Sequence, residues 1–114
     1  LRSEKGCPWD RKQTIESMRE HLEEEAEEVV DAIKGQDHRN LQEELGDLLF
    51  QVVMIAQIAK EEGLFDINDV TEEIAEKIVS RHTWVFGEEK AETAEEALEM
   101  WKRNKEIEKA KKQQ

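Results

Sequence analysis

Residues 48–59 read LLFQVVMIAQIA, twelve positions interrupted only by Gln51 and Gln57. A β-strand with one wet face would alternate every second residue, and this run does not. Read with the residues before it, the run ends a helix of roughly 38–62, opened by Asp37 as its N-cap and stopped before Gly63. A helix apolar on nearly every face has to be enclosed on all sides. Three neighbouring helices in so short a chain can hardly do that, so the remainder is expected to be covered by a second subunit.

The same reading extends to both sides. Ile15, Met18, Leu22, Ala26, Val29, Val30 and Ile33 recur at three- and four-residue spacings, which predicts a helix over about 14–34 ended by Gly35. Val70, Ile74 and Ile78 form one stripe of a third helix, about 69–82, with Asn68 or Asp69 as its cap. A connection, HTWVFGEEKAE, leads to a last helix from about 94, where Thr93 and Glu96 form a capping box. Ala97, Leu98 and Trp101 form its apolar side, and a charged tail follows. The expected fold is all-α: a bundle of about four helices, completed by dimerisation, most simply about a two-fold axis.

With 114 residues the chain fits one domain, 1–114, and a start at Leu1 rather than Met suits a piece of a longer protein. A net charge of −12 argues against nucleic acid and anionic membrane as partners. The single Cys7 excludes an internal disulfide framework, so a reducing cytoplasm is the expected compartment. The N-terminus LRSEKG does not read as a signal peptide, and the run at 48–59 is too short to span a bilayer.

Carboxylates crowd the first two helices. At about 100° per residue, Glu25 and Glu28 lie at the edge of the first apolar stripe, while Glu24 points more nearly away. In the second helix Glu44 sits in the apolar arc between Leu41, Leu45 and Leu48, with Asp47 and Gln51 beside it. Antiparallel packing would bring Glu25, Glu28, Glu44 and Asp47 face to face. Their mutual repulsion and desolvation would be relieved by a divalent cation, and an all-oxygen set suits Mg²⁺ first and Mn²⁺ second. Spacing alone also admits solvated acidic faces with ion pairs to Lys or Arg; the placement of Glu44 favours the metal. Di-iron carboxylate bundles use Glu-x-x-His motifs, and no His follows the relevant Glu residues here. That absence points to hydrolytic or phosphoryl chemistry.

Two cation-bearing pairs stand further along. Lys77 and Arg81 are four apart beside the Ile74/Ile78 stripe and could reach phosphate oxygens, or could simply balance Glu73 and Glu76. Trp101 and Lys105 repeat the spacing, a flat ring one turn before a cation; Trp101 reads equally as a core anchor.

The ordered series GCPWDRKQT (6–14), EEAEEVVDAI (24–33), EELGDLLFQVV (43–53), EEGLFDINDV (61–70), KIVSRHTWVFG (77–87) and the Trp101/Lys105 pair resembles the MazG-like nucleotide pyrophosphohydrolase family over almost the whole chain. The family pattern Glu-Glu-x-x-Glu followed by Glu-x-x-Asp is met by Glu24, Glu25, Glu28, Glu44 and Asp47. The resemblance implies an all-α dimer with a four-helix-bundle core that hydrolyses nucleoside triphosphates to the monophosphate and pyrophosphate with Mg²⁺. It implies Glu25, Glu28, Glu44 and Asp47 as metal ligands, Lys77 and Arg81 on phosphates, and Trp101 with Lys105 in the nucleotide pocket. Glu24 is a candidate base, although its ideal helical direction leads away from the quartet. Where members often read Arg-His-Pro-His-Val-Phe, this chain has Arg81-His82-Thr83-Trp84-Val85-Phe86, so a base preference does not carry over. Two alternatives stay open: a non-catalytic dimerisation or regulatory domain, and a pyrophosphohydrolase specific for dUTP or phosphoribosyl-ATP.

Overall fold

In the computed structural model, described here over residues 1–112, six helices follow one another without a strand: α1 (Pro8–Lys12), α2 (Ile15–Lys34), α3 (His38–Glu61), α4 (Ile67–Arg81), α5 (Thr83–Phe86) and α6 (Ala94–Lys112). They fall into two compact units, Leu1–Ile67 and the residues from Asn68 on. Among the described residues no helix is long and apolar enough to cross a membrane.

The first unit is an antiparallel hairpin of α2 and α3. Thr14 caps α2 by accepting from the Ser17 amide, and the Ser17 hydroxyl accepts from the Thr14 amide in return. Asp37 caps α3 as expected, accepting from the Asn40 amide at 3.1 Å. Between them α2 ends at Lys34 with Gly35 as its C-cap, as expected. Gly35 stays right-handed (φ −81°), and Gln36 takes the left-handed conformation (φ 55°). The amides of Gln36 and Asp37 return to the carbonyls of Ile33 and Ala32, so the helix closes in a double-bonded C-terminal turn with Gln36 in the left-handed position. At the end of α3 the same closure puts Gly63 in the left-handed position (φ 73°), where a glycine fits without strain.

Met18 of α2 packs with Met54 and Ile58 of α3, and Ile15 and Ile55 flank them. This register places Glu25 level with Asp47 and Glu28 level with Glu44, one helical step nearer the turn. The N-terminal segment is tied to the far end of α3. Arg2 donates from Nε and Nη2 to the two Glu61 carboxylate oxygens (2.7 and 2.9 Å), and its Nη1 donates to the carbonyls of Asp10 and Gln13. The Arg2 fork holds the Glu61 carboxyl below its usual range.

α3 still presents apolar side chains outward: Leu49 is 62% exposed, and Leu45, Phe50, Val52 and Val53 are also exposed, as are Val30 and Ile33 of α2. The all-round apolar helix is therefore only partly enclosed by its own chain.

The second unit has no fully buried side chain among its described residues. α4 begins at Ile67, upstream of both residues expected to cap it, so Asn68 and Asp69 lie inside its first turn, where Asp69 complements the helix dipole. Ile74 and Ile78 of its stripe are about half exposed. Thr93 accepts from the Glu96 amide as expected, but the Glu96 carboxylate reaches the Glu92 amide rather than that of Thr93. The short helix α5 occupies part of the connection before α6. Its Thr83 hydroxyl donates to Glu89 and accepts from Asn104, which also donates to the Arg81 carbonyl.

Candidate metal centre

Four side chains, two from each helix of the hairpin, converge midway along it. Glu25, Glu28, Glu44 and Asp47 each offer a carboxylate oxygen, and these four atoms all lie within 4.8 Å of one another. The i,i+3 spacing in each helix puts both of its acids on the inner face, and the tight Gly35–Asp37 turn fixes the two pairs at one level. Glu44 is only 9% exposed, Glu25 is half-buried, and Glu28 and Asp47 reach solvent. The site is thus a cleft with a buried floor and an open rim.

Its electrostatics are those of a site short of positive charge. The Glu44 carboxyl is raised from its ordinary 4.5 to about 7, first because it shares a hydrogen bond with Glu28, then through burial and the charges of Glu28, Asp47 and Glu25. Burial also raises Glu25, with the charges of Glu28 and Asp47 adding to it. Two of these oxygens, Glu25 Oε2 and Glu44 Oε2, are buried with no hydrogen-bond partner. Buried carboxylate oxygens left in that state are costly, and a proton or a cation relieves them. The donor set is entirely oxygen, so the group is able to hold a hard metal ion. Glu24 is exposed and outside the group; its charge acts on Glu25.

One further buried polar group stands beside the quartet. Gln51, only 8% exposed, carries an Oε1 with no hydrogen-bond partner.

The second unit gathers three of the four cationic and aromatic candidates. The Arg81 guanidinium carbon lies 5.4 Å from the Trp101 ring centre and Lys105 Nζ lies 5.1 Å from it. The indole therefore orders two cations rather than standing free. Arg81 Nε also donates to Glu108 at 3.0 Å in a largely buried pair. Glu108 escaped the sequence reading, although its position seven after Trp101 and three after Lys105 puts it on their face of α6. Lys77, one turn before Arg81, pairs with Glu73 at 3.7 Å.

An antiparallel helical hairpin that brings four carboxylates from two helices together defines an all-α protein with an acidic cluster able to hold a cation. Residues 13–86 match the MazG nucleotide pyrophosphohydrolase domain. Over 111 residues the chain is 48% identical to the nucleoside triphosphate pyrophosphohydrolase of Escherichia coli (strain K12), covering 97% of this chain and 42% of that protein. It is 51% identical over 88 residues to the nucleoside triphosphate pyrophosphohydrolase/pyrophosphatase MazG of Thermotoga maritima, covering 77% and 34% respectively. The crystal structure of a MazG-related protein from Thermotoga maritima superposes with a TM-score of 0.76 at 40% identity, covering 92% of this chain and 91% of that one. The chain belongs to the MazG nucleotide pyrophosphohydrolase domain family. It spans less than half the length of the curated relatives named above.

Proposed function

We propose that this chain is a single MazG-like domain that hydrolyses nucleoside triphosphates to the monophosphate and pyrophosphate, with Mg²⁺ as its cation and Mn²⁺ as a substitute. The observation that carries the reading is the convergence of Glu25, Glu28, Glu44 and Asp47, with two buried oxygens lacking a partner, in a chain of this family. The printed activity of the Escherichia coli and Thermotoga maritima relatives supports the same substrate class. The family match runs from unit to unit, which supports one domain rather than two.

In this reading the four carboxylates hold the cation, and the paired helices that carry them, with Glu44 buried between, set their positions before substrate arrives. When bound, the cation neutralises triphosphate oxygens and makes a water more acidic. Lys77 and Arg81 supply positive charge to the phosphates, where Arg81 offers a planar fork and Lys77 a mobile point charge. Trp101 keeps Arg81 and Lys105 close to one ring and so contributes to the nucleotide pocket by ordering them. Water is consumed across the α–β anhydride, and pyrophosphate leaves.

The working form is a homodimer, with the outward face of α3 covered by a second copy to complete a four-helix core. Nucleotide-pool clean-up in the cytoplasm is the corresponding role. Glu44→Gln removes the buried anionic ligand while keeping size and shape. It is expected to abolish Mg²⁺-dependent pyrophosphate release and to leave the helical circular-dichroism spectrum intact. Full retained activity would overturn the ligand assignment.

A further inference from the structure

The polar break at Gln51 in an otherwise apolar run is not explained by the four carboxylates. A buried amide in a hydrophobic helix is costly unless its oxygen and nitrogen are satisfied, and a Leu there would extend the run without that difficulty. Gln51 is more than nine-tenths buried, and its Oε1 has no hydrogen-bond partner.

Its position on α3 says what that oxygen faces. At about 100° per residue Gln51 falls between Glu44 and Asp47 in azimuth, about 20° from the first and 40° from the second. It lies about 6 Å along the axis beyond Asp47, and helical side chains lean back toward the N-terminus, over the turn that carries residue i−4. The side chain therefore lies over the turn that carries Asp47, on the face of α3 that bears the two carboxylates, while Met54 belongs to the apolar layer beyond it. Three buried oxygens without a partner, Glu25 Oε2, Glu44 Oε2 and Gln51 Oε1, thus belong to one region of the hairpin. A second protonated carboxyl could relieve one of them, whereas a hydrated cation relieves all three.

We infer that the Gln51 carbonyl oxygen is a fifth oxygen donor of this cation site, a neutral one at its floor. It adds a ligand dipole without adding a fifth negative charge to a cluster whose acids already repel one another. The inference rests on the proposed cation site, and the two can be separated by experiment.

The test is Mn²⁺ binding to the full 114-residue chain without nucleotide, followed by electron paramagnetic resonance and by thermal unfolding. The unsubstituted chain should bind Mn²⁺, and Glu44→Gln should lose that binding; a chain that binds none overturns both the cation site and this inference. Gln51→Met, similar in size but lacking the acceptor, should weaken Mn²⁺ affinity about tenfold, in the range seen when supporting groups of metal sites are removed. The same variant should melt at a higher temperature than the parent without metal, because an unsatisfied buried amide has gone. Gln51→Glu, which retains an acceptor, should restore affinity to the parent's level or above. Parental Mn²⁺ affinity in Gln51→Met, with Glu44→Gln still defective, would overturn the role of Gln51 and leave the cation site standing. Loss of affinity in Gln51→Glu equal to that in Gln51→Met would also overturn it, because packing and not the oxygen would then be the cause.

Discussion

Glu44 is the residue on which the centre turns. It enters the hairpin core as an acid among leucines, and the Glu28 carboxyl beside it, burial and its charged neighbours together favour its protonated form, with a pKa of about 7. A group whose folded pKa is raised contributes stability that is complete below its ordinary value and lost as pH rises through the folded one. Without divalent cations the chain should therefore lose thermal stability between about pH 4.5 and about pH 7 through this group. Glu44→Gln should flatten that part of the profile, and Mg²⁺ should oppose the loss above pH 7, where Glu44 is free to bind it. Parallel unfolding profiles for the two chains from pH 4 to 8 would contradict the assignment. The sequence singled out Glu44 and its three companions because helical spacing set them beside the apolar stripes and Glu44 within one, and the structure brings the four together. Spacing could not reveal how far each is buried, nor that Gln51 lacks a partner, since both depend on the packing of α2 against α3. Glu108 was missed for a related reason: its pairing with Arg81 joins residues 27 apart in the chain.

At the scale of elements, the four long helices were readable from apolar periodicity, and Thr93, Asp37 and Gly63 marked ends where they were expected. The short helices α1 and α5 were not, because four or five residues are too few to establish a period. The α2–α3 turn begins at Gly35, where the sequence placed the end of α2. The double-bonded closure sets Gln36, the residue after it, in the left-handed conformation. A side chain in that conformation costs about 1–2 kcal/mol, partly offset by the chain entropy a glycine would lose. Gln36→Gly is accordingly expected to stabilise the chain by about 0.5–1 kcal/mol in urea unfolding, with an unchanged denaturant slope. Destabilisation would contradict the strain assigned to Gln36.

For the whole molecule, the decisive feature is how much of α3 remains uncovered. Leu45, Leu49, Phe50, Val52 and Val53 are all exposed on this one helix, the kind of apolar surface that marks an interaction site. The sequence anticipated this from the twelve-residue run, because no arrangement of so few helices could surround it. Which surface the proposed dimer would set against it was not legible, since a partner leaves no periodic mark of its own. The proposed dimer predicts a sedimentation mass twice that of one chain. Leu49→Glu with Val53→Glu should place two charges on the covered face and shift the chain to monomer, and a parent that sediments as a monomer would contradict the dimer. The central claim concerns the chemistry, and the most direct measurement follows the phosphorus. The chain is incubated with Mg²⁺ and a panel of nucleoside triphosphates, and the products are resolved by ³¹P nuclear magnetic resonance. Nucleoside monophosphate and pyrophosphate in equal amounts, absent when Mg²⁺ is chelated, are predicted. Diphosphate with orthophosphate, or no turnover of any triphosphate, would contradict the account.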